Sequence, residues 1–300
     1  MKIPTHTSAT QWTSATSKER KVPKPASEEP SSAKRRSTQH SSSTQHRITH
    51  WFSSIGIEQS ALDYSTQPSR QIAQYQSLRE QKRLANLQKI MSVALSVSSG
   101  EQSQEQVDPD WFHSFISMAE NIYSPTMQEL WGKILAVEVQ RPGSFSLRSL
   151  ETLTKLTQRD AGLFSKACQL ACRRNSDPAP IIITGYHQQP GLLNALFPAP
   201  AAQTQLAQFG LSYTDILALG SMKLLYATEI ETGLLDKGAS MTLKFSTESL
   251  TLEAKSRQLL MTYYKFTSVG SELARLLPKQ KSEAFTAHIK SLFTPHFSVE

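Results

Sequence analysis

The stretch SPTMQELWGKILAVEVQRPGSFSLRSLETLTKLTQRDAGLF, residues 124–164, decides the fold of the central part of this chain. Its first half repeats apolar residues every three or four positions, as in an amphipathic helix, until Pro142 and Gly143 stop the pattern. A serine of the segment PGSFS then caps a second helix, and a capping box that begins at Thr157 opens a third. Connections this short predict adjacent, roughly antiparallel helices.

The sequence before this stretch predicts more helix. Asp108 and Pro109 supply a cap and a first-turn proline, so we predict a helical array over residues 105–176. Residues 67–99 predict one long helix that is polar in its first half. Its second half carries an apolar stripe with helical spacing, formed by Leu84, Leu87, Met91 and Leu95. Such a short stripe is typical of packing against a core, and self-association through it is the alternative.

Residues 177–300 predict a mixed module. Ile181 begins a short run typical of a buried strand, residues 241–252 alternate around a four-residue connection as in a β-hairpin, and residues 260–266 form a further strand. Helices capped by Ser212 and Thr267 flank these strands. The predicted fold class is therefore α+β, mostly α, in which a helical array precedes a winged-helix-like module with a small antiparallel sheet.

The net charge of +7 is concentrated near the amino terminus. Residues 1–50 hold nine Lys and Arg against three Glu, which leaves 23 basic and 22 acidic side chains in the other 250 residues. This distribution excludes a uniformly basic protein that coats nucleic acid. Residues 1–66 are rich in Ser, Thr, Gln and Pro and poor in apolar residues, so we predict a disordered basic tail.

Two segments carry a resemblance to a known family. Residues 127–164 contain the pattern LWxxxLAxE followed by PGSFSxRxL. Residues 263–277, YYKFTSVGSELARLL, are similar to a C-terminal LTxxGxEL segment, with Phe266 where that pattern has leucine. Both resemble an uncharacterised bacterial (proteobacterial) family that carries a domain of unknown function, over roughly residues 70–290. The resemblance implies a bacterial origin and a shared fold, and it implies no reaction.

The central motif offers one candidate site, formed by Trp131, Glu138, Pro142, Gly143, Ser144, Ser146 and Arg148. Glu138 lies near the carboxyl end of a helix, where the helix dipole opposes a carboxylate. In the structural interpretation, Glu138 binds the PGSFS turn, and Arg148 either pairs with Glu138 or faces solvent. In the functional alternative, the turn is an anion-binding nest that holds a phosphate, or part of an enzyme site.

Other signs of catalysis are missing from the sequence. It contains no GxxxxGK[ST], HExxH, GxSxG or GxGxxG pattern. Cys168 and Cys172 lie four residues apart, but no second pair completes a zinc site, and we interpret both as core residues. We therefore assign no catalytic residue, no metal ligand and no cofactor, and we favour a role that is not enzymatic.

The winged-helix-like module and the basic tail raise nucleic-acid binding as an alternative. Residues 205–240 hold only Lys223 and Lys237 against four acidic residues, which would repel phosphate. No apolar run approaches the ~20 residues that a membrane helix needs. We expect a cytoplasmic interaction or regulatory protein that binds a protein partner or forms a homo-oligomer.

Overall fold

The structure, a computed structural model, describes residues 44–57, 68–98, 105–189, 201–246, 248–278, 280 and 282–300. By its internal contacts the chain divides into two compact units, Met1–Tyr75 and Gln76–Glu300.

The first unit contains helix α1, residues 44–53, and the beginning of helix α2, Pro68–Val97. Helix α1 lies inside the segment that we predicted to be disordered. Residues 1–43 and 58–67 of that segment lie outside the described residues, so their disorder stays a prediction.

The second unit contains the rest of α2, followed by four helices: α3 Pro109–Ala119, α4 Pro125–Gln140, α5 Leu147–Lys155 and α6 Gln158–Gln169. They form the predicted helical array. The Asp108 side chain accepts hydrogen bonds from two amides of the first turn of α3, and Thr157 and Asp160 form the predicted capping box. Ser124 occupies the N-cap position of α4, but its side chain makes no capping hydrogen bond.

The core of the array is aromatic. The Phe115 ring lies 5.1 Å from the Trp131 ring and 5.2 Å from the Trp111 ring, measured between centroids. The Trp111 indole donates a hydrogen bond of 2.6 Å to the carbonyl oxygen of Phe145, a buried residue in the turn between α4 and α5. This turn is therefore fastened to the aromatic core, which positions the candidate site.

Helix α2 packs on the array mainly through residues outside the predicted stripe, although Leu87 of the stripe does pack against the core. Ile90 and Ala94 are buried, whereas Leu84, Met91 and Leu95 expose 58%, 55% and 68% of their surface. The core-packing interpretation of the stripe is wrong for these three residues. Apolar periodicity alone does not identify the packed face, because a buried polar residue occupies it as well.

That polar residue is Asn86, which is 7% exposed. Its amide donates a hydrogen bond of 2.8 Å to the Glu120 carbonyl oxygen and accepts one of 3.0 Å from the Gln128 amide. Close approach of the two helices depends on Gly132 in α4, where an added Cβ would lie 2.6 Å from the Cβ of Val93. These contacts, rather than Leu84 and Leu95, orient α2.

The module after the array is built on an eight-stranded antiparallel sheet, as far as the described residues show it. Its strands are β1 Cys172–Arg174, β2 Asp177–Gln188, β3 Ala201–Gln203, β4 Ile230–Glu231, β5 Ser240–Lys244, β6 Ser249–Ala254, β7 Leu259–Lys265 and β8 Phe297–Val299. Their order across the sheet is β4-β7-β2-β1-β5-β6-β8, and β3 also pairs with β2.

The predicted fold class, α+β with a helical array before an antiparallel sheet, is confirmed. The sheet is larger than the small sheet we predicted. The additional strands β1, β3, β4 and β8 are two or three residues long, too short for a periodic pattern in the sequence.

Strand β2 lies within the sheet and carries the run Ile181, Ile182 and Ile183, none of which is exposed. Because successive residues of a strand point to opposite faces, the sheet is covered on both sides at this point. The remaining helices are α7 Tyr213–Ser221, α8 Ser268–Leu273 and α9 Glu283–Phe293, with 3-10 turns at Leu206–Phe209 and Ala274–Leu276. Ser212 and Thr267 cap α7 and α8, as predicted.

Candidate functional site

The turn between α4 and α5 brings together most of the predicted site residues. Gly143 has a φ of +80°, a conformation that favours glycine, although an added Cβ would contact nothing within 4 Å. Ser146 is the N-cap of α5, and its hydroxyl accepts a hydrogen bond of 3.3 Å from the Ser149 amide. The backbone of the turn thus presents several amide N–H groups to its surroundings.

Glu138 is 2% exposed and binds this backbone with both carboxylate oxygens. Oε1 accepts a hydrogen bond of 2.6 Å from the Gly143 amide, and Oε2 accepts one of 2.9 Å from the Phe145 amide. These are the contacts that the structural interpretation predicted. Two donated N–H groups compensate a carboxylate that the α4 dipole would otherwise oppose.

A second carboxylate, which our sequence reasoning missed, binds the other end of the turn. Oε2 of Glu272, in α8, accepts hydrogen bonds from the Ser146 amide at 2.7 Å, the Ser146 hydroxyl at 3.0 Å and the Ser149 hydroxyl at 2.6 Å. We call these three bonds the Glu272 contact. It joins the helical array to the sheet module, and it joins the two segments that carry the family resemblance.

All amides from Gly143 to Ser146 have partners, since the Ser144 amide donates a hydrogen bond of 3.2 Å to the Arg141 carbonyl oxygen. A phosphate bound to the turn would therefore have to displace Glu138 or Glu272. Arg148 is exposed, and its guanidinium makes no hydrogen bond or ion pair with any described residue. The anion-binding alternative thus needs a rearrangement of the turn.

Two predicted site residues contribute packing. Trp131 is fully buried in the aromatic core, and its indole N–H finds no hydrogen-bond partner among the described residues. Pro142 is half-buried at the start of the turn. Neither presents a reactive group to solvent.

The two cysteines have the environment of core residues. Cys172 is buried and Cys168 is half-buried, and burial raises the pKa of each thiol to about 12. Both are therefore neutral at physiological pH and poor nucleophiles. In the described ranges, no three His, Cys, Asp or Glu side chains gather where they could hold a metal ion.

Helix α7 lies within residues 205–240, the segment in which the nucleic-acid alternative would need a recognition helix. Its sequence contains Asp215 and neither lysine nor arginine. Hydrogen bonds from Ser212 lower the pKa of the Asp215 carboxyl, so this helix carries a negative charge. Within the described part of the chain, no helix has both the length and the hydropathy needed to cross a bilayer.

The family model described as a protein of unknown function (DUF2806) matches residues 70–290. Neither a curated protein nor a solved structure matches the chain. The matched range contains all but the first two residues of α2, the turn with Glu138, and the Glu272 contact.

Proposed function

Since the chain belongs to the DUF2806 family, whose function is unknown, we propose a function from its own geometry: an interaction protein, without catalytic activity, that associates with a second copy of itself through helix α2. The observation that supports this proposal is the outer face of α2, where Leu84, Met91 and Leu95 are exposed while Ile90 and Ala94 on the other side are buried. Exposed apolar side chains that line one face of a helix are typical of interaction surfaces.

This outer stripe is self-complementary in an antiparallel pair. With Gln88 included, its residues recur at intervals of four, three and four, the spacing of a coiled-coil seam. In an antiparallel pair, Leu84 faces Leu95 of the partner subunit and Gln88 faces Met91 of the partner subunit. Both contacts occur twice, as a two-fold symmetric interface requires.

Charge favours the antiparallel over the parallel orientation. A parallel pair would place helix ends of the same partial charge beside each other, and like charges repel. In the antiparallel pair, Arg79 and Lys82 lie near the carboxyl end of the partner's α2, which carries a partial negative charge.

The oligomeric state of the full chain tests this proposal. Three half-exposed side chains form a small interface, so we expect a weak dimer with a Kd in the micromolar range or above. Analytical ultracentrifugation over a concentration series should show this dimer for the parent chain and for Leu234→Glu, a control leucine that is also about half exposed. Leu84→Glu should abolish it. A monomer at every concentration, or a dimer unaffected by Leu84→Glu, would contradict the proposal.

Cross-linking tests the orientation. Leu84→Cys and Leu95→Cys chains should form a disulfide-linked dimer when mixed, and neither should do so alone. Cross-linking of Leu84→Cys with itself would show a parallel pair and contradict the arrangement. The parent chain is the control, because its two native thiols are kept neutral by burial.

A further inference from the structure

A cavity of about 560 Å³ lies where the end of α6, strand β1, the end of β5 and the segment after α8 meet. Three cationic side chains line it: Arg173, Lys244 and Arg275. The rest of the wall is largely apolar, with Phe245 and Leu277 as its largest side chains. Among the described residues, no carboxylate lines the cavity.

Two of these cations are held side by side by the sheet. Arg173 of β1 is directly opposite Lys244 of β5 in the antiparallel register, so both side chains project from the same face. Like charges opposite each other destabilise a pair of strands. Neither side chain, nor that of Arg275, forms an ion pair with any described residue, in contrast to Arg174, which lies 3.8 Å from Asp177.

The other polar groups of the wall do not reduce this positive potential. The thiols of Cys168 and Cys172 remain protonated, because burial raises the pKa of each to about 12. Ser271 donates its hydroxyl proton to the Thr267 carbonyl oxygen, a neutral contact. The cavity is thus a positively charged recess with one apolar side.

We propose that this cavity binds a small organic phosphate, whose phosphate group contacts Arg173, Lys244 and Arg275 and whose apolar part lies against Phe245 and Leu277. Guanidinium groups match phosphate oxygens in charge and in planar geometry. The volume is within the range of about 300–1,000 Å³ that small-molecule sites occupy. A nucleic-acid strand needs a longer basic track, and these three cations share a single recess.

Calorimetric titration of the full chain with three probes tests the proposal. Phenyl phosphate should bind saturably, inorganic phosphate at least several-fold more weakly, and benzyl alcohol, which lacks the charge, without measurable affinity. Lys244→Gln and Arg275→Gln should each raise the Kd for phenyl phosphate about tenfold, because each removes one charged contact. Both residues are exposed, so these variants should fold normally.

The matched control is Lys155→Gln, which removes the same charge from an exposed position on α5 and should leave the Kd within about twofold of the parent value. Phenyl phosphate binding that is absent, that is equally strong in the cavity variants and the parent, or that is no stronger than benzyl alcohol binding would overturn the proposal. So would tight binding of a single-stranded oligonucleotide that both cavity variants abolish.

Discussion

Replacement of Glu138 by glutamine should destabilise the array. The carboxylate accepts two backbone hydrogen bonds, at 2.6 and 2.9 Å, at a position that is 2% exposed. A glutamine side chain has one oxygen acceptor, so its NH₂ group would face one of the two amides. Loss of a hydrogen bond to a charged group costs about 1.5–3 kcal/mol, and a buried N–H left unpaired costs about 1–3 kcal/mol. We expect the free energy of unfolding of Glu138→Gln to fall by about 2–4 kcal/mol.

Urea unfolding followed by circular dichroism measures this loss, and the thermal midpoint should fall by about 4–16 °C. Glu151→Gln makes the same chemical change at an exposed position on α5 and should stay within about 0.5 kcal/mol of the parent. Arg148→Ala should likewise stay within about 0.5 kcal/mol of the parent, since the guanidinium is exposed. A Glu138→Gln chain as stable as the Glu151→Gln control would refute the structural role of the carboxylate and favour the enzyme alternative for this turn.

Two further predictions concern backbone conformation and pH. Gly143→Ala should lower the free energy of unfolding by about 1–2 kcal/mol, because φ is +80° there. Gly162→Ala should raise it by about 0.5–1 kcal/mol, because Gly162 lies inside helix α6 and alanine favours a helix. Urea unfolding that gave the same sign for both changes would contradict this reasoning. A hydrogen bond from Lys265 lowers the pKa of the Asp177 carboxyl in the folded chain. The ionised carboxylate therefore adds to the free energy of unfolding above about pH 4, and this contribution is lost as the pH falls through the lowered pKa. Between pH 6 and pH 2, the free energy of unfolding should therefore decrease less steeply with pH in Asp177→Asn than in the parent chain. Equal slopes in the two chains would count against the ion pair.

The features that could be predicted from sequence are those formed by neighbouring residues. The capping box of Thr157 and Asp160 requires only two side chains three positions apart, and the sequence contains both. The run of three isoleucines similarly marks a buried strand, because no alternation is expected when both faces of a sheet are covered. Such signals identified the array and the sheet module in the correct order.

The packed face of α2 could not be predicted in this way. Leucine and methionine are more apolar than asparagine, so the pattern favoured Leu84 and Met91 as core residues. The structure buries Asn86 instead, because the Gln128 amide and the Glu120 carbonyl satisfy its hydrogen bonds. Those partners lie 42 and 34 positions away, beyond any local window.

The Glu272 contact was missed for the same reason. Ser146 and Glu272 are separated by 126 positions, and each has a local role, in a cap and in a short helix. One signal was available, since both residues belong to segments that resemble the same family. The Glu272 contact, in which these two segments touch, gives a simple reason why both belong to the pattern of the same family.

The position of β2 has a consequence for how the chain is made. Ile181 pairs with Lys265, so the long partner strand β7 is translated some 80 residues after β2. At a synthesis rate of about 5–20 residues per second, about 4–17 seconds pass between the synthesis of the isoleucine run and that of its partner residues in β7. During this time the edge of β2 that pairs with β7 stays without its partner strand. A nascent strand of this kind attracts other chains, so we expect solubility during expression to depend on how quickly the carboxyl-terminal third is completed.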